Sequence, residues 1–274
     1  MKRIATIQDI SCLGKCSLTV ALPVISATGV EAAIIPTAVL STHTMFKNFT
    51  CKDLDDQLLP IADHWKSEGV EFDAFYTGYL ANGSQVDKVI SIINSLKTEK
   101  TKIIIDPAMA DNGRLYPAFD SKFPKEMAKL CAIADIILPN ITEACLLTDT
   151  PYRESYDEAF LKTVIGKLSA LGAKKIVLTG AEFGKKYGVM TYDNGEYNMY
   201  EQKKIDAVFH GTGDIFSSAF TGLLTRGKSL DESVKIAADF TAECIRITKL
   251  TPEANWYGVE FERAIPYLIE RIKS

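Results

Sequence analysis

Short apolar runs alternate with amphipathic stretches along the whole of this chain, and that alternation admits few folds. Residues 3–8, 32–36, 72–78, 102–107, 133–138 and 175–179 read as strands. Between and after them, residues 17–28, 54–68, 86–96, 143–148 and 160–171 have helical spacing, the first closed by Gly29, the last by Gly172, and the second carrying Leu58, Ile61 and Trp65 on one face. Residues 187–192 and 196–202 flank the turn Asp193-Asn194-Gly195 and predict a hairpin. Three helices, at 214–224, 230–248 and 260–272, complete the chain. Strands separated by helices pair in parallel and need cover on both faces, so the expected fold class is α/β, a three-layer α/β/α arrangement with a mostly parallel central sheet. No linker or repeat divides the 274 residues, and the expectation is a single domain over residues 1–274.

Composition excludes several classes of function. Thirty-one basic and 35 acidic residues give a formal charge of −4 with no basic run, which argues against nucleic acid as a partner. The N-terminal apolar run is interrupted at Asp9, too early for a signal peptide, and no run reaches membrane-spanning length; a cytoplasmic protein without membrane contact is expected. Six cysteines, at positions 12, 16, 51, 131, 145 and 244, lack metal-site spacing and are expected to be buried, reduced thiols.

The chemistry concentrates in Val208-Phe209-His210-Gly211-Thr212-Gly213-Asp214-Ile215-Phe216. Two glycines permit a tight turn with exposed N–H groups, and the apolar run from Ile215 predicts a buried helix whose N-terminus attracts an anion. An acid there is repelled by the anion, unless it serves as a base. Asp214 is therefore expected to take a proton from a hydroxyl while Gly211, Thr212 and Gly213 hold the phosphoryl group under attack.

Other candidates fall at or just after expected strand ends, where an α/β sheet places its ligands: Asp9, Thr44, Tyr79, Asp106, Asn140, Glu143, Thr179 and Gly180. Each has a structural alternative as a cap, a turn residue or packing. Asp106 and Glu143 together suit Mg²⁺, which takes few protein oxygens and keeps its water. Of three histidines, His64 belongs to a solvated helix face, His43 adjoins Thr44, and His210 adjoins the glycine turn, where loop packing and a phosphate contact are both open.

Six segments in order carry a family resemblance: Ile7-Gln8-Asp9; Ser41-Thr42-His43-Thr44; Thr77-Gly78-Tyr79; Asp106-Pro107-Ala108-Met109 with Asp111-Asn112-Gly113; Pro139-Asn140-Ile141-Thr142-Glu143; and Gly211-Thr212-Gly213-Asp214. The set resembles the pyridoxal kinases of the ribokinase-like superfamily. That resemblance implies ATP-dependent phosphorylation of the 5′-hydroxymethyl group of pyridoxal, pyridoxine or pyridoxamine, with Asp214 as base and Gly211, Thr212 and Gly213 as the anion hole. It assigns Mg²⁺ to Asp106 and Glu143, and ATP to Asp106, Asn140, Glu143, Thr179, Gly180, Phe209, His210 and the glycine turn. Asp9, His43, Thr44 and Tyr79 fall to the pyridine pocket. A homodimer is the family habit, and a monovalent cation such as K⁺ is a further candidate cofactor. Many members carry Ser where this chain has Asp9. The rivals are a hydroxymethylpyrimidine (phosphate) kinase, whose glycine turn typically ends in Cys; a more distant sugar kinase; and a non-catalytic vitamer-binding protein.

Overall fold

The computed structural model describes residues 1–207 and 209–273. Its first half runs β1 (Arg3–Ser11), α1 (Leu18–Ala27), β2 (Glu31–Leu40), β3 (Cys51–Asp53), α2 (Leu58–Ser67), β4 (Ala74–Thr77), α3 (Gly83–Leu96), β5 (Lys102–Ile105), β6 (Ala110–Asp111), β7 (Arg114–Leu115) and α4 (Phe123–Cys131). Thereafter come β8 (Ile136–Ile137), α5 (Ile141–Leu147), α6 (Glu158–Ala170), β9 (Lys175–Phe183), β10 (Lys186–Asp193), β11 (Glu196–Glu201), α7 (Thr212–Arg226), α8 (Leu230–Lys249) and α9 (Phe261–Lys273). The expected α/β alternation is present.

Contacts group the chain into two compact units. The first comprises residues 1–76, 96–101 and 205–274, the second residues 77–95 and 102–204. In the first, strands follow the order β4-β1-β2-β3, with β1 and β2 parallel and β3 antiparallel to β2. Ile4, Ala5, Thr6, Ile7, Gln8 and Asp9 are buried in succession, so both faces of β1 are covered, as a crossover connection through α1 requires. Helix α7 is buried along its length from Ile215 to Thr225, fulfilling the expectation of an interior helix.

In the second unit the order is β11-β10-β9-β8-β5, with β5, β8 and β9 parallel and β10 and β11 antiparallel. The expected hairpin closes where Asp193 pairs with Glu196. Asn194 and Gly195 both have positive φ, 50° and 92°, the conformation that Asn-Gly adopts at least cost.

Several expectations need correction, among them the strand expected at 133–138, which is confined to Ile136–Ile137. β1 continues past Gln8 to Ser11, because β2 goes on supplying a partner as far as Leu40. β9 continues through Thr179 and Gly180 to Phe183, because β10 folds back on it and offers an antiparallel ladder. Cys12 and Cys51 are exposed, one beyond the end of β1 and the other on the fully exposed edge strand β3, whereas Cys16, Cys131, Cys145 and Cys244 are buried as expected. Among the described residues no helix is long and apolar enough to cross a membrane.

Candidate active site

Gly211 opens α7. It is the N-cap residue at φ 80°, ψ 2°, and its carbonyl accepts from the Ile215 N–H at 3.1 Å. A Cβ at this position would stand 2.2 Å from the Lys15 carbonyl oxygen, so both the conformation and the close approach demand glycine. Thr212, Gly213 and Asp214 form the first helical turn, which no cap side chain closes; its N–H groups are the donors an anion hole needs. Val208 lies outside the described residues.

The helix begins two residues earlier than expected, which moves Asp214 from its start to its third position. There the carboxylate is half-buried and its Oδ2 accepts from the Ser17 N–H at 3.0 Å. Burial pushes its pKa up to about 6; the Ser17 bond works against that rise and the charge of Asp9 adds to it. A carboxyl titrating there is ionised at neutral pH and still basic enough to take a proton.

Asp9 sits within β1 rather than beyond its end. Gln8 pairs with Pro36 and Ile10 with Val39, so Asp9 alone faces Thr37 and Ala38, a bulge that follows the proline lacking a ladder N–H. The Asp9 carboxyl is 4% exposed and accepts from Ser11 Oγ at 3.0 Å. Burial raises its pKa, against hydrogen bonds from Ser17 and Ser11.

His43 is buried and its tautomer is set from both sides. Nδ1 accepts from the Met45 N–H at 3.2 Å, leaving the Nε2 proton for the Tyr257 carbonyl at 3.0 Å. Its ring lies 4.4 Å from that of His210, which loop packing therefore engages. Burial lowers both pKa values, that of His210 to about 4, with His43 adding to the latter. Thr44, next in the chain, is exposed, and His64 is exposed on α2 as expected.

The second unit holds the other carboxylates. Asp106 follows β5, is 7% exposed, and its N–H donates to the Thr77 carbonyl at 3.0 Å. Glu143 is buried on α5, where it and Asn140 form a capping box: Asn140 Oδ1 accepts from the Glu143 N–H at 3.0 Å, and Glu143 Oε2 from the Asn140 N–H at 2.9 Å. Glu143 Oε1 accepts from the N–H groups of Met109 and Ala110, at 3.1 and 3.5 Å. Burial, and then the charge of Asp106, push the Glu143 pKa well up, opposed by these three N–H groups.

Two interacting buried carboxyls made of hard oxygens fit a divalent cation, which would relieve the repulsion between them. Among the described residues no three acidic, histidine or cysteine side chains converge on one point, so such an ion would complete its shell with water and phosphate oxygen. Asn140 and Thr179 are joined by a parallel bridge, and Asn140 Nδ2 donates to the Ala110 carbonyl at 2.8 Å. Gly180 is exposed at φ 65° with open space where a side chain would be. Tyr79 packs 5.2 Å from Phe119.

Ser11, Lys15 and Ser17 escaped the sequence reading. Ser17 acts on Asp214 through its backbone, which leaves no trace in side-chain type; the signal available was Gly14-Lys15-Cys16-Ser17, a turn between the first strand and the first helix.

Residues 20–259 match the family described as phosphomethylpyrimidine kinase. The chain belongs to this family. Within the phosphomethylpyrimidine kinase family and its relatives, the pyridoxal kinase of Bos taurus is 27% identical over 239 residues, covering 79% of this chain and 74% of that protein. The hydroxymethylpyrimidine/phosphomethylpyrimidine kinase of Aquifex aeolicus is 27% identical over 232 residues, covering 80% and 83%. A crystal structure from Bacteroides thetaiotaomicron, described as a phosphomethylpyrimidine kinase in an orthorhombic form with pyridoxal, matches with a TM-score of 0.92 at 36% identity over 97% of this chain and 95% of that one. The ribokinase-like α/β fold expected of the family is thus the fold observed.

Proposed function

We propose that this chain transfers the γ-phosphoryl group of ATP to the 5′-hydroxymethyl group of a vitamin B6 vitamer: pyridoxal, pyridoxine or pyridoxamine. The observation that carries it is Asp214, a carboxyl with a raised pKa at the third position of an uncapped helix N-terminus, held by the Ser17 N–H. The bovine relative and the Bacteroides structure with pyridoxal support the choice of substrate, and the family match supports the kinase reaction.

In the reaction Asp214 accepts the hydroxyl proton as the hydroxyl oxygen bonds to the γ-phosphorus and the bond from phosphorus to the ADP oxygen breaks. The N–H groups around Gly211, Thr212 and Gly213 stabilise the charge on the phosphoryl oxygens during transfer. Asp106 and Glu143 would hold Mg²⁺, which when bound neutralises phosphate charge. By resemblance, Asn140, Thr179, Gly180, Phe209 and His210 are assigned to the nucleotide, and Asp9, His43, Thr44 and Tyr79 to the vitamer ring. Residues 1–274 act in this proposal as one kinase domain, in a cytoplasmic homodimer, with K⁺ as an additional candidate cofactor.

Hydroxymethylpyrimidine is the competing substrate, favoured by the Aquifex relative at the same 27% identity. A steady-state panel of the three vitamers and hydroxymethylpyrimidine with Mg-ATP separates the two. The expected result is a higher kcat/KM for at least one B6 vitamer; a higher value for hydroxymethylpyrimidine would overturn the assignment. Ligand binding without ATP consumption would mark a non-catalytic binder.

A further inference from the structure

The segment between β1 and α1 has an unusual shape and carries a charged side chain, Lys15, that plays no part in the chemistry above. Lys15 and Ser17 both have φ of 51°, and Ser17 combines it with ψ −136°, far from where a residue with a side chain rests. Backbone of this kind persists only when its surroundings over-determine it. Both ends of the segment touch the candidate active site: the Lys15 carbonyl packs against Gly211, and the Ser17 N–H donates to Asp214 Oδ2.

The Lys15 side chain is tied down at its far end. Its ammonium bonds Glu260 Oε1 and Glu262 Oε2, each at 3.0 Å, and only 14% of its side chain is exposed. Its stem lies against Gly258, where an added Cβ would stand 2.6 Å from the Lys15 Cβ, and the ammonium is 6.0 Å from the Phe261 ring centroid. Burial works against the charge, but the two carboxylates outweigh it and hold the ammonium above its ordinary range. The Lys15–Glu260 pair, 14% and 17% exposed, is screened far less than a surface pair, whereas Glu262, 52% exposed, is its solvent-facing member.

We propose that Lys15 is a positioning residue for phosphoryl transfer: anchored to Glu260 and Glu262, it keeps the strained loop against the glycine turn and the Ser17 N–H on the Asp214 carboxylate. The proposal rests on Asp214 as the base. Releasing Lys15 frees the loop to relax, the N–H leaves the carboxylate, and the base loses both its orientation and a bond that favours its ionised form.

Two titratable neighbours act on Asp214 and must be kept constant, Asp9 from β1 and the buried thiol of Cys16 from the loop itself. The test therefore leaves both in place. In the full chain, the Asp214 carboxyl is titrated by ¹³C NMR, assigned through Asp214→Asn, and kcat is followed against pH. Lys15→Met, which keeps the apolar stem, is expected to raise the Asp214 midpoint by about one unit and to lower kcat about tenfold, with KM for ATP changed less than about twofold. Lys15→Arg, able to bridge two carboxylates, is expected to restore most of both.

A change of charge alone is separated by the triple variant Lys15→Met/Glu260→Gln/Glu262→Gln. It makes the surroundings of Asp214 less negative, so electrostatics alone would lower the midpoint, whereas loss of the clamp raises it. A midpoint that stays or falls in the triple variant overturns the proposal, as does a loss of thermal stability with midpoint and kcat unchanged in Lys15→Met. If Lys15→Met does not fold, Glu260→Gln/Glu262→Gln carries the same expectation with Lys15 intact. A wild type that phosphorylates no vitamer would defeat the proposed function, and the titration, which needs no substrate, would still decide the clamp.

Discussion

The backbone N–H of Ser17 donates to Asp214 Oδ2 at 3.0 Å, across a separation of 197 residues in sequence. The bond restricts rotation of the carboxyl and leaves Oδ1 for a substrate proton. Ser17 adopts a backbone conformation that costs about 1–3 kcal/mol to hold. Free energy is thus stored in the loop that aims the base.

The first prediction concerns pH. The base works only when ionised, and burial has raised its pKa from the ordinary carboxylate range to about 6, so kcat falls on the acid side of about pH 6 and is level above it. Below the midpoint the decline approaches about tenfold per unit. His210, at about 4, does not contribute to that limb, so His210→Asn should leave the midpoint in place. Asp214→Asn should reduce kcat about 10²–10⁴-fold with little change in KM. A level profile from pH 5 to 8 would remove Asp214 from the role of base.

A second prediction follows from Asp9, whose charge adds to the rise at Asp214. Asp9→Ser removes it, so the acid limb of kcat should move to lower pH. The carboxylate also favours an ammonium or a protonated ring nitrogen over a neutral edge. Relative kcat/KM should therefore shift away from pyridoxamine in Asp9→Ser, measured on all three vitamers. An unchanged ratio would reduce Asp9 to a structural carboxyl for Ser11 and Ser17.

How much of this was legible beforehand varies with the kind of interaction. The Asn194-Gly195 hairpin and the glycine turn could be read because each needs a particular residue type at a fixed place. Asn140 and Glu143 have the right spacing for a capping box, and the structure forms one. The end of β1 could not be read, since a strand stops where its neighbour stops supplying partners, and the β1 residues do not record that β2 pairs as far as Leu40. The two-residue strands β6 and β7 and the three-residue β3 are too short for any periodicity. Lys15, Glu260 and Glu262 meet only through the fold, about 245 residues apart.

The two glycines of the turn should respond oppositely in stability while both lose turnover, which forms a third prediction. Gly211→Ala forces a side chain into a left-handed conformation, costing about 1–2 kcal/mol, and drives its Cβ to 2.2 Å from the Lys15 carbonyl. Both Tm and kcat should fall, kcat at least about tenfold because the loop and Asp214 shift together. Gly213 has open space around its Cβ position and lies inside the helix, where alanine is favoured by about 1 kcal/mol. Gly213→Ala should raise Tm slightly while lowering kcat, since the new methyl group occupies the anion hole. Unchanged turnover in Gly213→Ala would show that phosphate does not bind over this turn.

The last prediction separates the two carboxyls of the second unit. Glu143 spends its oxygens on the N–H groups of Met109, Ala110 and Asn140, so Glu143→Gln leaves donors facing an amide that can accept with only one atom. At least one buried N–H is then unsatisfied, at a cost of about 1–3 kcal/mol, and Tm should fall by several degrees. Asp106 supplies charge that raises the Glu143 pKa, so Asp106→Asn should move the Glu143 titration to lower pH. Metal dependence is a separate readout. The proposal gives direct contact with the cation to Asp106, and the engaged oxygens of Glu143 suit contact through water. The Mg²⁺ concentration for half-maximal activity should rise further in Asp106→Asn than in Glu143→Gln, where about 10–100-fold is the usual scale for loss of an outer partner. Chelation with EDTA should abolish turnover in the wild type and leave its Tm nearly unchanged, because a site of two carboxyls and water adds little to folding. Equal Mg²⁺ requirements in both variants and the wild type would place the metal elsewhere and leave Glu143 as the clasp between α5 and the residues after Asp106.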